Sequence, residues 1–135
     1  GGNRIGNEGV KLLAESELFS KVNWIELGGN DIGPEGLRAL VNSKTLLKVK
    51  SLNLYRNAIK DEGAIIFANE NQLEKIEDLD LAQNEIGDEG ILALSQSKKL
   101  PDLVSIALDN NFSSAEGKEE AKLGPNFKKL QSLNL

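Results

Sequence analysis

Asp78 and Asp80 stand two residues apart, and Asp109 follows them in the next repeat. Carboxylates so close in sequence raise two chemistries, divalent-cation binding and general acid–base catalysis. On a strand, Asp78 and Asp80 would point the same way about 6.6–7 Å apart. Calcium takes about six to eight oxygens at about 2.3–2.6 Å, a shell that flat neighbouring strands do not wrap. Catalysis by paired carboxylates calls for a pocket, a histidine or a positioned nucleophile beside them. The chain contains neither histidine nor cysteine, which removes the usual transition-metal ligands. Asp78, Asp80 and Asp109 therefore read as an acidic strip suited to a basic partner. A second carboxylate set, Glu8, Glu35, Glu62, Glu89 and Glu116, recurs at a step of 27, each followed by a glycine. Even spacing keeps those side chains on separate helices roughly 10 Å apart, so no two converge. The glycines recur once per repeat and form no phosphate-binding loop.

The step of 27 organises the whole chain. LDLAQNEIGDEG at 79–90 is preceded by LNLYRNAIKDEG at 52–63 and IELGGNDIGPEG at 25–36. Asn3, Asn30, Asn57, Asn84 and Asn111 keep the same interval, and five copies account for 135 residues. A fixed period in the twenties is the signature of a solenoid. Apolar columns run Val22, Val49, Ile76, Leu103, Leu130, then Ile25, Leu52, Leu79, Ile106, Leu133, then Leu27, Leu54, Leu81, Leu108, Leu135. The last two columns are two residues apart, which is strand periodicity. After the asparagine and an isoleucine (Ile5, Ile32, Ile59, Ile86) the apolar spacing changes to three, as in Leu37 with Leu40, which marks a buried helical stripe.

Two residues place the helix start. Pro34 suits the first helical position, where a missing N–H costs nothing, and Ser114 suits an N-cap. The glutamate column then faces the positive end of the helix dipole. The following glycine is expected where the helix approaches the sheet closely. Phe19, Leu46, Leu73, Leu100 and Phe127 are expected to return the chain to the core after each helix. Stacked repeats bury faces that no single repeat can bury alone. Strands about 4.8 Å apart and helices about 8–10 Å apart force the stack to curve with the sheet inside. The asparagines should sit at the strand ends and bond the backbone groups that the turn leaves unpaired.

The run L-x-x-L-x-L-x-x-N-x-I, seen from Ile76 through Leu79, Leu81 and Asn84 to Ile86, resembles a leucine-rich repeat. The length of 27 and the G-x-E-G-x-x-x-L from Gly87 to Leu94 resemble the ribonuclease-inhibitor-like class. The resemblance covers all five repeats. It implies an α/β solenoid over 1–135, a right-handed β-α superhelix with a parallel sheet on the concave face and helices on the convex face. It also implies protein recognition, because the family's roles are mostly of that kind. A likeness to the Ran GTPase-activating protein, which has related repeats, makes a regulatory activity on a GTPase the alternative.

The fifth repeat departs from the pattern. Ser113 stands in the isoleucine column with Phe112 one place early, and Lys118 and Lys122 occupy positions that are apolar or small elsewhere. Its helix, SAEGKEEAKL, has only Ala121 and Leu123 to bury. Neither end carries a polar cap, so a piece of a longer array is expected, self-associating through uncapped ends.

Function must lie on residues that the scaffold leaves free. On the strands these form four columns, beginning at Trp24, Glu26, Gly28 and Gly29, and all four are expected to project from the concave face. The only tryptophan and the only tyrosine fall here, at Trp24 and Tyr55. With Glu26, Asn53, Arg56, Asp78, Asp80 and Asp109 they make the candidate partner-binding set. Trp24 and Tyr55 should stand roughly 14 Å apart. The formal net charge of −5 opposes binding to nucleic acid or an anionic membrane. No cofactor, metal or catalytic residue is assigned. A cytoplasmic setting is the expectation, with a secreted effector or a larger assembly as alternatives.

Overall fold

The 27-residue units each give one short strand and one main helix, and the last adds a second, short helix. The computed structural model describes residues 4–135, so Asn3, the first of the asparagine column, lies outside it. The elements are α1 (Gly6–Glu15), β1 (Trp24–Glu26), α2 (Pro34–Val41), β2 (Ser51–Asn53), α3 (Lys60–Glu70) and β3 (Asp78–Asp80). They continue with α4 (Asp88–Gln96), β4 (Ser105–Ala107), α5 (Ala115–Lys122), a short α6 (Pro125–Lys128) and β5 (Ser132–Asn134). The strands form one parallel sheet in chain order. Their register follows the period: Trp24 faces Ser51, Ser51 faces Asp78, Asp78 faces Ser105 and Ser105 faces Ser132. Each helix packs against its chain neighbours, giving a leucine-rich-repeat-like solenoid with the sheet lining its concave face.

The core is built from the expected columns. Leu52, Leu54, Leu79, Leu81, Ile76, Leu37, Leu40 and Leu94 are all buried between sheet and helices. Beside them runs a ladder of buried asparagines. Asn57 Oδ1 accepts the N–H groups of Asn30 (2.9 Å) and Ile32 (3.0 Å), while its Nδ2 donates to the carbonyls of Leu27 and Leu54, both at 3.0 Å. Asn111 repeats the arrangement on Asn84, Ile86, Leu81 and Leu108. Each amide thus satisfies backbone groups of two adjacent repeats that the turn would otherwise bury unpaired.

The helix ends are also closed from the neighbouring repeat. Asn7 Oδ1 accepts from Gly33 and Gly36, and Asp61 Oδ1 accepts from Gly87 (2.7 Å) and Gly90 (3.0 Å). Asp88 takes the N–H and the hydroxyl of Ser114, whose own Oγ accepts from Gly117. At the other end, Ser43 and Ser97 donate to the carbonyls of Ala14 and Ala68, each at 2.6 Å. Pro34 does take the first helical position and Ser114 does cap α5.

Several expectations are corrected. The repeated glycines make room for the adjacent repeat's cap and for their own isoleucine, not for the sheet. A Cβ on Gly36 would stand 2.5 Å from Asn7 Oδ1, and one on Gly90 would stand 2.5 Å from Ile86 Cγ2 and 2.7 Å from Asp61 Oδ1. Phe19 is 38% exposed although Leu46, Leu73, Leu100 and Phe127 are buried in the same column. Among the described residues no earlier repeat lies over it. Leu123 is 72% exposed, because α5 ends at Lys122 and α6 inserts Phe127 into the core instead.

Candidate functional site

Strand alternation sends Ile25, Leu52, Leu79 and Ile106 into the core and turns the residues on either side toward the concave face. The register then aligns two rows across the sheet. One row is Trp24, Ser51, Asp78, Ser105 and Ser132; the other is Glu26, Asn53, Asp80, Ala107 and Asn134. All of these but Glu26 line one shallow trough, whose lining also includes Leu52, Leu79 and Ile106. Trp24 stands at one end with 61% of its surface exposed. Ser105 donates its hydroxyl to Asp78 Oδ1 at 2.6 Å, fixing that carboxylate in the middle of the row.

The second row has a structural duty as well. Asn53 Oδ1 accepts the Tyr55 N–H at 2.8 Å and Asp80 Oδ1 accepts the Ala82 N–H at 2.9 Å. Glu26 curls back in the same way onto the Gly28 N–H, and that bond is the main reason its carboxyl is held below the usual carboxylate range. These side chains close the strand ends.

The candidate set divides by position. Trp24, Asn53, Asp78 and Asp80 line the trough, and Glu26 flanks Asn53 in the same row. Tyr55 and Arg56 lie just past the end of β2, where Arg56 is left-handed with φ 56°. Gly29 (φ 68°), Gln83 (φ 54°) and Asn110 (φ 58°) share that column and that conformation. The fourth column is therefore a line of turn residues on the rim. In the third column, Gly28 and Ala82 are buried, while Tyr55 is 41% exposed. Asp109 borders a separate depression beside Lys118, Lys122, Leu133 and Leu135. Ser51, Ser105, Ser132 and Asn134 complete the trough although they lie outside the candidate set; their column membership was the available signal.

Among the described residues, no group of three or more acidic side chains is gathered closely enough to hold a metal ion. No described helix is long and apolar enough to cross a membrane.

A family model described as Leucine Rich repeat matches residues 1–14, 25–41, 45–68 and 72–95, more than half of the chain. The chain belongs to the leucine-rich repeat family. The matched segments of this leucine-rich repeat chain stop at residue 95, before the unit in which Ser113 and Lys118 break the apolar columns. Comparison with curated protein sequences returned no match. Among solved structures, the leucine-rich repeat chain is similar to that of "Leiomodin-1 Actin-Binding Site 2 (ABS2)". The TM-score is 0.69 at 20% identity, over 95% of this chain and 75% of that one. Identity at that level carries the fold alone.

Proposed function

We propose that this leucine-rich repeat chain is a protein-interaction scaffold, not an enzyme, and that it binds a partner with a basic surface on the concave face of its sheet. The observation that carries the reading is the trough. It combines a largely exposed Trp24 with Asp78 and Asp80 on a face that the core does not use. Tryptophan, tyrosine and arginine dominate binding hot spots when set among residues that exclude water, and Tyr55 and Arg56 extend the same face toward the rim. Acidic groups on it would steer a basic partner and speed encounter at low salt. The net charge of −5 opposes nucleic acid and anionic lipid as occupants. The leiomodin-1 structure is of an actin-binding site, an example of protein binding by a similar fold; the partner here is read from this chain's own residues.

The test is capture of partners from the source cell with the wild-type chain and with Trp24→Ala, followed by affinity measurement on whatever is enriched. Trp24→Ala and Tyr55→Ala are each expected to weaken binding by about 1–2 kcal/mol or more, with unchanged far-UV circular dichroism. Equal capture by both variants and wild type would place the interface elsewhere. A GTP hydrolysis assay with and without the chain addresses the regulatory alternative; no acceleration is expected.

A further inference from the structure

We propose that the trough holds its partner by one cationic side chain, seated over Ser51 between the ring of Trp24 and the carboxylate of Asp78. The inference rests on the concave-face reading and adds the chemistry of the contact. Trp24, Ser51 and Asp78 are register partners on three successive strands, so the outer two stand about 10 Å apart with Ser51 between them. That span suits a cation within about 6 Å of a ring centroid and in charge-assisted contact, at about 2.7–2.9 Å, with a carboxylate. The small side chain of Ser51 leaves the middle of the row open. Ser105 occupies Asp78 Oδ1 and leaves the second oxygen for the guest. In the adjoining row Asp80 adds negative charge, and no described residue lining the trough is basic. A guanidinium fits best, since it stacks on an aromatic face and also bonds a carboxylate.

Trp24 is the only tryptophan, so its fluorescence reports directly on the row. The probe is hexa-arginine, titrated into wild type, Asp78→Asn, Ser51→Leu and the remote control Glu89→Gln, which loses a charge on the helical edge. Wild type and Glu89→Gln are expected to give the same saturable change in Trp24 emission. Asp78→Asn and Ser51→Leu should raise the midpoint by about tenfold or more, the loss of one charged contact. Asp78→Asn is nearly isosteric and keeps an acceptor for Ser105, which guards against a folding artefact. A wild-type response that does not saturate overturns the proposal. So does a midpoint that Glu89→Gln shifts as far as Asp78→Asn does, since hexa-arginine would then be reading net charge. The broader reading is judged separately. If Trp24→Ala abolishes partner capture while hexa-arginine gives no saturable response, only the cation contact fails. If hexa-arginine binds at the row but partner capture ignores Trp24→Ala, the concave-face reading fails.

Discussion

The starts of α3 and α4 occupy equivalent places in consecutive repeats, yet they are built differently. At α4, Gly87 is extended and Asp61 of the preceding helix caps the first turn through Gly87 and Gly90. At α3 the equivalent residue of the preceding helix is Pro34, whose side chain offers no acceptor. There Lys60 turns left-handed, with φ 63°, and its N–H bonds the carbonyl of Asn84 at 2.9 Å. In the turn leading to α4 the left-handed residues are Gln83 and Glu85, with φ 54° and 59°. A helix start in this stack is therefore set by the residue one repeat back. A repeat is one unit of the pattern, but its closure is shared with its neighbour.

Both starts hang from the same sheet, so the largest effect should be common to them. Leu54 lies beneath the α3 turn and gives its carbonyl to Asn84, and Leu81 does the same for Asn111 beneath the α4 region. Both leucines are fully buried. Leu54→Ala or Leu81→Ala should cost about 2–5 kcal/mol, while exposed Glu62→Ala should cost far less. The loss should spread to adjacent repeats, because each repeat is stabilised by its neighbours. Denaturant melts read the cost, and hydrogen exchange reads its spread. A Leu81→Ala chain as stable as wild type would mean the strand register is wrong.

The difference between the two starts is tested by removing the cap. Asp61→Ala should destabilise the chain by about 0.5–2 kcal/mol, the range for losing an N-cap. Hydrogen exchange should quicken at Gly87 and Gly90 and stay unchanged at Lys60. Faster exchange at Lys60 would show that the α3 start depends on the same side chain.

Much of this scaffold was legible in the chain. Period, strand columns, asparagine ladder, Pro34 and Ser114 all follow from residue type at a fixed position, because each acts within its own turn or within a column of like residues. The trans-repeat caps escaped because their column reads Asn7, Pro34, Asp61, Asp88, Ala115, which looks like surface variation. Each cap acts on groups 26 or more residues away, so no local window contains both partners. The left-handed rim escaped for a different reason. Only Gly29 among Gly29, Arg56, Gln83 and Asn110 carries the glycine that usually marks such backbone. The rows of the trough followed from alternation, but the backward curl of Glu26, Asn53 and Asp80 onto strand-end amides is a choice of rotamer. Alternation places a residue on a face and says nothing of where its oxygen goes.

A smaller effect sharpens the comparison from the α3 side. Left-handed backbone costs a residue with a side chain roughly 1–2 kcal/mol, partly offset by the greater chain entropy that glycine loses on folding. Lys60→Gly should therefore stabilise the chain by up to about 1 kcal/mol, seen as a higher denaturant midpoint with an unchanged slope. Asp88→Gly, at the equivalent position plus one in α4, has no such strain to relieve and should destabilise. Destabilisation by Lys60→Gly would mean that the lysine side chain, and not the backbone turn, supports α3.

The smallest expected effect concerns a third start, that of α5, where the cap can be switched by pH. Asp88 receives the Ser114 hydroxyl at 2.6 Å and the Ser114 N–H at 2.8 Å. The hydroxyl first, and then the backbone N–H, hold its carboxyl below the ordinary value of 3.8. A lowered folded-state value means that the ionised form is bound more tightly in the folded chain. Its stabilising contribution is therefore complete above the unfolded value and is lost as pH falls through the folded one. Asp88→Asn keeps an acceptor and removes the titration. It should melt close to wild type at neutral pH and lose less stability than wild type as the pH falls below about 4. Ser114→Ala should bring the Asp88 titration, followed by NMR, back toward the ordinary value. The effect stays small because the carboxylate faces solvent, where water screens its gain. If Asp88→Asn follows wild type through the whole acid range, α5 owes its start to the Ser114 cap alone, and closure from the repeat before is confined to α2 and α4.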